Sequence, residues 1–302
     1  MLDLTVNPRV AEALANNQPV VALESTLVTH GLPYPKNVET ALAMEDAVRR
    51  GGALPATIAV LRGKITVGLT PDDLERLAKT GSSIRKCSRR DLPIVIAQRE
   101  DGGTTVAGTM IIAQRAGITV FATGGIGGVH RGHPMDVSAD LIELGRTPVA
   151  VVCSGAKSIL DLPLTLEVLE TQGVPLIGYG TTHLPAFYTR SSGLPVNVRV
   201  DTPDRAADII IASKRLELGH GVLITVPVPE EDALDAVTAE YAIQQATREA
   251  EARHIHGKDV TPYLLQRVSE ITAGKSLRAN ISLLENNALV AGMIANAVCR
   301  KI

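Results

Sequence analysis

The sequence predicts an α/β protein, one three-layer α/β/α sandwich over residues 1–302 with a mostly parallel or mixed central sheet. Short apolar runs rich in β-branched residues alternate with longer segments whose apolar residues recur at helical spacing. No internal repeat, low-complexity tract or linker divides the chain. With 302 residues, 45% of them hydrophobic, the chain is long enough to bury a large core.

Composition argues against several classes of function. The net charge is −2, and the chain has no tryptophan and only two phenylalanines, so binding to polymeric nucleic acid is disfavoured. The three cysteines are far apart and form no CxxC pair, which is typical of reduced intracellular thiols. The sequence shows no signal peptide and no apolar run of membrane-spanning length. We therefore expect a cytoplasmic protein without a membrane partner.

The first buried strand is predicted at 18–24 and ends in a carboxylate, Glu24. In open parallel sheets ligands collect at the carboxyl ends of strands, a position suited to acid–base chemistry. The alternative is a capped or salt-bridged carboxylate. Around this strand the pattern predicts the following further elements: helices at 7–16, 37–50 and 70–79, and two strands, 57–61 and 64–69, that form a hairpin around Arg62-Gly63.

Two neighbouring stretches could bind an anion. The run 84–91 carries four cations, Lys86 among them, and is either a solvated basic face or an anion site. Glycines and threonines at 102–110 precede a helix predicted at 106–116, where free backbone N–H groups and hydroxyls suit an anion. The run lacks the Walker spacing and is not a nucleotide-binding P-loop of that kind.

A strand predicted at 118–123 leads into the glycine-rich run 124–132. A dinucleotide fingerprint would need glycine or alanine at position 130, which is His130, so a phosphorylated sugar fits better than NAD.

The run 133–144 is predicted to continue into a helix. If Asp136 caps or enters that helix, Asp136 and Asp140 share one face, with Ser138 between them, and favour a hard cation such as Mg²⁺ or Mn²⁺. An N-cap and a solvated acid are the alternatives.

The most informative stretch is 148–158, a doubly buried strand followed by Ser154, Gly155, Ala156 and then Lys157. Burial lowers the pKa of a lysine, and a neutral amine is a nucleophile toward carbonyls. The alternatives are a lysine that reaches solvent or that pairs with a structural carboxylate.

Beyond Lys157 the pattern predicts the following elements: a helix at 164–169, a strand at 174–179, a loop at 180–188, a helix at 202–218, a strand at 221–226, a long helix at 230–254, and two helical patterns beginning at Tyr263 and Leu277.

Taken together, these motifs closely resemble the pseudouridine-5'-phosphate glycosidase family, also called indigoidine-synthase-A-like. The resemblance covers about residues 5–300 and is carried by the following segments: 20–26, 55–59, 86–92, 104–107, 121–132, 136–140, 155–161, 170–175 and Asn280-Ile281. It implies reversible cleavage of the C–C glycosidic bond of pseudouridine 5'-phosphate to uracil and ribose 5-phosphate. It also implies a homotrimer, a three-layer fold and a Mn²⁺ ion, with Mg²⁺ as the other hard cation.

The resemblance assigns roles to individual residues. The proton donor falls on Glu24, the Schiff-base lysine on Lys157 and the metal-contacting aspartate on Asp136. Substrate contacts fall on Lys86, Val106, His130, Ser138, Ala139, Asp140 and Asn280. Two positions depart from the family pattern: the loop between Gly132 and Asp136 is short, and Val226 replaces an asparagine.

The residue types suit this chemistry. A C–C glycosidic bond has no leaving oxygen or nitrogen to protonate, which disfavours the two-carboxylate route of ordinary glycosidases. An amine that attacks C1 of a ring-opened ribose provides an iminium without a cofactor. Glu24 would protonate the ring oxygen, and Asp140 is a candidate second acid. Two alternatives remain: a Schiff-base aldolase or lyase acting on another phosphoglycoside, and a non-catalytic sensor of nucleotides or sugar phosphates.

Overall fold

The computed structural model describes residues 4–255 and 260–302. The strands in these ranges are β1 Leu4–Val6, β2 Val20–Leu23, β3 Leu54–Leu61, β4 Lys64–Val67, β5 Arg85–Cys87, β6 Gly102–Thr104, β7 Val120–Ala122, β8 Val129–His130, β9 His133–Val137, β10 Ala150–Cys153, β11 Leu160–Asp161, β12 Leu176–Tyr179, β13 Val198–Val200 and β14 Val222–Thr225. The α-helices are α1 Pro8–Ala15, α2 Lys36–Arg50, α3 Pro71–Thr80, α4 Leu92–Ala97, α5 Val106–Ala116, α6 Ala139–Leu144, α7 Leu162–Thr171, α8 Pro203–Arg215, α9 Ala236–Ala252, α10 Val260–Ile271 and α11 Lys275–Cys299. A π-helical turn, Leu27–Gly31, follows β2.

The central sheet has the strand order β1-β4-β3-β2-β7-β10-β14-β12-β13, and β6 pairs with β3 and β5 beside this path. Most pairs are parallel, whereas β3 pairs antiparallel with both β4 and β6. The chain runs from β2 to β3 in one direction and from β7 to β10 in the other. The order therefore reverses between β2 and β7, the position at which open α/β sheets bind ligands.

Helices cover both faces of this sheet. Parallel crossovers are right-handed, so connections that run in opposite directions along the sheet place their helices on opposite faces. One layer contains α2, α8 and α11, and the other contains α5, α6 and α7, in agreement with the contacts between these helices. The fold class predicted from the sequence is confirmed, while the single domain over 1–302 stays a prediction.

The last helix, α11, packs across the middle of the sheet against β2, β7 and β10. It is long and apolar enough to cross a membrane by length and composition alone, but 61% of its most apolar window is buried inside the structure. Such burial is expected of the core helix of an α/β domain. Its small residues, such as Gly292 against Gly51 at the C-cap of α2, allow close helix packing.

Several predicted elements are confirmed, and two differ in extent, the long helix and the run 133–144. The β3–β4 hairpin turns through Arg62 and Gly63, which both have positive φ, as tight hairpin turns require. The long helix begins at Ala236 rather than at residue 230, because Asp235 caps it. Its predicted end is two residues beyond Ala252. The run 133–144 is not continuously helical: residues 133–137 form strand β9, and α6 begins only at Ala139.

Candidate active site

Three central strands end at one edge of the sheet and bring together the residues of the candidate site. Glu24 follows β2, Thr123 follows β7, and Lys157 lies four residues after β10. The order of these strands is β2-β7-β10, so the two catalytic candidates lie on either side of the β7 end. The structure thus places Glu24 and Lys157 at the reversal point of the sheet.

Glu24 lies in a buried environment that favours the protonated form of its carboxyl group. Thr123 donates its hydroxyl hydrogen to Glu24 Oε1 at 2.5 Å. Burial raises the pKa of Glu24, and this effect outweighs the nearby Lys157 charge and the Thr123 hydrogen bond, which lower it. The Asp140 charge raises the pKa further and Lys86 lowers it. Four predicted site residues therefore interact electrostatically in one place.

The backbone before Lys157 is tied to the glycine-rich run after β7. Lys157 N donates to Ile126 O at 3.1 Å, and Ile126 N donates to Gly155 O at 3.1 Å. Gly155 has a φ of +82°, and a Cβ there would lie 2.4 Å from Pro185 O. Only glycine suits this position, and the tight turn places the lysine at the end of its strand.

Arg131 fixes the backbone on the other side of Lys157. Its guanidinium donates to Ser158 O at 2.9 Å and to Leu160 O at 3.1 Å, and it pairs with Glu240 of α9 at 2.8 Å. These contacts connect the β8–β9 hairpin, the lysine loop and α9. Lys157 therefore has fixed backbone on both sides, while the residue as a whole is partly accessible.

Asp140 holds the glycine-rich run against the start of α5. Its Oδ1 accepts from Ala107 N at 3.0 Å, and its Oδ2 accepts from Gly127 N at 2.9 Å. Ser138 is the N-cap of α6, with its hydroxyl oxygen accepting from Asp140 N at 3.2 Å. Asp136 precedes this cap and lies on β9, so the expectation that Asp136 and Asp140 share a helix face is wrong. The N-cap excludes Asp136 from the helix.

A surface suited to an anion lies beside Glu24. Lys86 on β5 pairs in register with Gly103 of β6, and Val106 and Ala107 open α5 just after β6. The N–H of Val106 forms no hydrogen bond within the part of the chain that the structure describes. A positive side chain and a free N–H at the start of an eleven-residue helix together suit a phosphate.

A polar network joins this surface to the Glu24 strand. Thr104 N donates to the Ser25 hydroxyl oxygen at 2.9 Å, and the Thr26 hydroxyl donates to Thr104 O at 2.7 Å. Ser25 and Thr104 are fully buried. The network fixes the segment immediately after Glu24 against the one that precedes α5.

His130 and Asp136 lie on the β8–β9 hairpin, away from this rigid network. His130 Nδ1 and Asp136 Oδ2 are 3.8 Å apart, and the Asp136 side chain is 57% exposed. Both residues line a groove of about 670 Å³ that runs along α9 and α10. Among the described residues the lining of the groove includes neither Glu24 nor Lys157.

The described residues contain no cluster of three or more His, Cys, Asp or Glu side chains that could hold a metal ion. Both Asp140 oxygens already accept backbone hydrogen bonds, which leaves Asp136 as the accessible carboxylate. Mg²⁺-type sites commonly use one or two carboxylates, several waters and substrate phosphate. The donor set fits a cation of this hydrated type and does not fit a closed protein cage.

Asn280 lies on α11 and is 9% exposed. Its side chain makes no hydrogen bond to any other described residue, although buried amides are normally paired. None of the described contacts connects Asn280 to Glu24 or Lys157. The Asn280 amide nevertheless keeps hydrogen-bonding capacity that a ligand could use.

Sequence reasoning missed two residues of the site, Thr123 and Asn287. Thr123 is the residue directly after β7, and the rule that places ligands at strand ends could have identified it. Asn287 lies on the fully buried face of α11, where its carboxamide contacts the ends of both β7 and β10. An asparagine within an apolar helical stripe was the available signal.

Comparison with known proteins shows which family the chain resembles. The sequence model described as "Indigoidine synthase A like protein" matches residues 9–297. A Clostridium botulinum protein named pseudouridine-5'-phosphate glycosidase is 56% identical over 294 residues, which cover 97% of this chain and 96% of the relative. An Escherichia coli protein of the same name is 52% identical over 294 residues, with 97% and 94% covered.

Two solved structures share the fold. The prealnumycin C-glycosynthase AlnA, in complex with ribulose 5-phosphate, superposes with a TM-score of 0.91 at 44% identity, covering 99% of this chain and 97% of that one. An indigoidine synthase A-like protein of Thermotoga maritima superposes with a TM-score of 0.90 at 36% identity, with the same coverage. The resemblance found in the sequence is confirmed, and the chain belongs to the indigoidine-synthase-A-like family, which includes proteins named pseudouridine-5'-phosphate glycosidase.

Proposed function

We propose that this protein is a pseudouridine-5'-phosphate glycosidase, which reversibly cleaves the C–C glycosidic bond to give uracil and ribose 5-phosphate. The observation that carries the proposal is the pairing of Glu24, whose pKa is raised by burial, with the nearby Lys157 at the reversal point of the sheet. The names of the relatives support the substrate. The sugar phosphate bound to AlnA supports the sugar part of it.

In the cleavage direction, Glu24 gives a proton to the ribose ring oxygen as the bond from that oxygen to C1 breaks. The Lys157 amine forms a bond to C1 and loses a proton. The nitrogen lone pair then forms the iminium while the bond from C1 to uracil breaks and uracil C5 takes up a proton. Water hydrolyses the iminium to free lysine and ribose 5-phosphate. In the reverse direction the iminium is the electron acceptor for uracil.

The two polar side chains at the end of β10 and directly after it, Cys153 and Ser154, do not compete with Lys157 as nucleophiles. Burial raises the pKa of the Cys153 thiol to about 12, so this thiol stays protonated at neutral pH. The Ser154 hydroxyl is fully buried and hydrogen-bonded to Asn287. Chemistry at C1 therefore falls to the lysine.

The remaining predicted contacts divide between the two ends of the substrate. Lys86 and the Val106 N–H form the phosphate end, and Ser138, Ala139 and His130 lie along the glycine-rich run. The unpaired buried amide of Asn280 reads uracil by hydrogen bonds, in keeping with the scarcity of aromatic side chains. Asp140 anchors the glycine-rich run through two backbone N–H groups, and its role as a second acid stays part of the proposal.

We further propose that Asp136 contacts a Mn²⁺ or Mg²⁺ ion through its accessible carboxylate. Such an ion would neutralise charge on the sugar phosphate. The short segment between Gly132 and Asp136, which forms most of strand β9, should affect this site more than it affects Lys157. Val226, which stands where the family has an asparagine, is buried, and its N–H donates to Cys153 O at 2.8 Å. This departure from the family pattern therefore lies directly beside β10, the strand that precedes Lys157. A cytoplasmic homotrimer, supported by the family resemblance, completes the proposal.

A second candidate is a related reaction on another phosphoglycoside, which the C-glycosynthase neighbour AlnA favours. One experiment separates the candidates. Purified protein is incubated with uracil and ribose 5-phosphate, and loss of uracil absorbance is followed; authentic pseudouridine 5'-phosphate is then tested in reverse. Turnover in both directions supports the proposal. A borohydride-trapped adduct without turnover of uracil would instead favour the second candidate, and no adduct at all would favour a binding protein.

A further inference from the structure

Asn287 is a buried polar residue in the middle of the apolar helix α11. Its relative exposure is 0%, and its neighbours Leu283, Leu284 and Ala288 are buried core residues. Placing a carboxamide there is unfavourable unless each of its polar atoms has a partner. The contacts of Asn287 therefore indicate why an amide occupies this position.

The Asn287 amide joins the two strand ends of the site. Its Nδ2 donates to Thr123 O at 2.9 Å and approaches Ser154 Oγ at 3.1 Å, with a longer contact to Gly124 O at 3.4 Å. Ser154 Oγ lies 3.3 Å from Asn287 Oδ1 and can donate to it. Here β7 and β10 end, and their loops begin. One side chain thus binds both loops where the regular β pairing stops.

These contacts are one step from each catalytic candidate. Thr123 donates its hydroxyl to Glu24, and Ser154 lies three residues before Lys157. The loop is held there by two further bonds, from Ser154 N to Gly124 O at 2.8 Å and from Phe187 N to Ser154 O at 3.2 Å. The path from the acid to the lysine is continuous: Glu24, Thr123, Asn287, Ser154, Lys157.

We propose that Asn287 is a positioning residue that sets the separation of Glu24 and Lys157 for the Schiff-base reaction. This inference rests on the proposed function of the same site. An apolar side chain at position 287 would still pack α11 against the sheet, but it would leave Thr123 O and the Ser154 hydroxyl without their Asn287 partner, and Gly124 O would keep only the bond from Ser154 N. The amide is required for alignment of the two loops.

The test compares Asn287→Leu and Asn287→Ala with wild type. Misplacing reacting groups by about 1 Å costs about 100-fold in rate, so we expect kcat to fall by about 100-fold while KM for ribose 5-phosphate changes less than about threefold. Borohydride trapping at saturating ribose 5-phosphate should slow in parallel. Asn296→Ala is the matched control: it removes an amide from the same helix beside Gly52, at the far end from the site.

Two further variants keep the test decisive if the first ones fold poorly. Ser154→Ala removes only the hydroxyl end of the link and should lower kcat by about tenfold with little change in KM. Asn287→Asp keeps the shape, and its acid form still donates one hydrogen bond to Thr123 O. Its kcat should therefore decline with rising pH relative to wild type, as the carboxyl ionises against the two carbonyl oxygens.

The result that overturns the proposal is a set of folded Asn287 variants with near-normal kcat, or a loss of activity that follows the folded fraction measured by circular dichroism. An increase in KM that accounts for the whole effect would also contradict it. The trapping readout needs only a Schiff base with a sugar phosphate. If wild type traps the sugar but does not turn over uracil, the proposed function fails while the positioning role of Asn287 remains testable.

Discussion

Glu24 and Lys157 are held by contacts from several elements, whereas the Asp136 side chain on the β8–β9 hairpin has, among the described residues, one long contact of 3.8 Å to His130. The first region lies within the sheet edge, covered by α11, and its loops are tied together by backbone hydrogen bonds. The second region is a short hairpin with a largely exposed edge strand, on which Met135 is 93% exposed.

The difference suggests a division of labour. Covalent chemistry needs the acid and the nucleophile at a fixed separation before substrate arrives, and preorganised groups cost no rearrangement during the reaction. A hydrated cation and the phosphate that accompanies it can complete their own site on binding. Substitutions in the first region should therefore reduce kcat, and substitutions in the second should mainly reduce binding.

The largest effect is expected at Lys157. Lys157→Ala should lower kcat by about four orders of magnitude or more, because the proposed route has no electron sink without the iminium on this lysine. Lys157→Arg should be no better: arginine stays protonated and cannot attack a carbonyl, although it would bind phosphate well. Steady-state kinetics measure the loss, and mass spectrometry after cyanoborohydride reduction should find a pentose phosphate on Lys157. An active arginine variant, or an adduct on another residue, would reduce Lys157 to an anion-binding role.

Glu24 should show the next largest effect. Glu24→Gln keeps the size of the side chain and can still accept from Thr123, but it cannot donate a proton as an acid, so kcat should fall by about 10²–10⁴-fold. Burial raises the pKa of Glu24, so the acid form persists to higher pH than in an ordinary glutamate. In wild type, kcat/KM should decline as pH rises through this raised pKa, and the glutamine variant should lack that decline.

Glu45 provides the matched control for Glu24. It is 8% exposed and accepts a hydrogen bond from the Thr57 hydroxyl at 2.7 Å, as Glu24 does from Thr123, but it has no part in the site. Glu45→Gln should leave kcat and the pH profile unchanged. Equal losses in both variants would mean that the Glu24 result reports only a damaged core.

The locations of Glu24 and Lys157 were predictable from the sequence because position along a strand determines where each residue lies. Glu24 ends β2 and Lys157 follows β10, and the carboxyl ends of parallel strands share one edge of a sheet. The relation between Asp136 and Asp140 was not predictable, since spacing of four residues places side chains on one face only if the helix has already begun. Ser138 caps α6 and moves the boundary past Asp136.

Asn287 was missed for a different reason. Its contacts reach Thr123 and Ser154, which are more than 130 residues away along the chain. Periodicity identifies the buried face of α11 but does not indicate which strand ends that face covers. Long-range side-chain contacts of this kind depend on tertiary packing, and a single sequence carries little information about them.

A smaller effect is expected at Asn280, which tests whether uracil is read by hydrogen bonds. Asn280→Ala should lower kcat/KM by about tenfold or more, the scale of one hydrogen bond left unmade to a bound base. The loss should be seen with uracil in the synthesis direction, and borohydride trapping of ribose 5-phosphate alone should be unchanged. Unaltered kinetics in both directions would remove Asn280 from the site.

The smallest effect on folding stability is expected for Asp136→Ala, and this variant tests the contrast between the two regions most directly. The side chain is 57% exposed and has one long contact, so Asp136→Ala should change the free energy of unfolding by no more than about 0.5 kcal/mol. Binding of Mn²⁺, measured by calorimetry in the presence of ribose 5-phosphate, should nevertheless weaken clearly. The control is Asp46→Ala, which replaces an exposed aspartate paired with Arg49 on α2 and should leave Mn²⁺ binding unchanged.

Activity of the wild type should also depend on Mn²⁺ or Mg²⁺ and should not be restored by zinc, which prefers nitrogen and sulfur ligands. Full activity after exhaustive dialysis against EDTA, with Mn²⁺ binding equal in both variants, would show that the hairpin carboxylate serves no cation and that the second region contributes to the reaction only through His130.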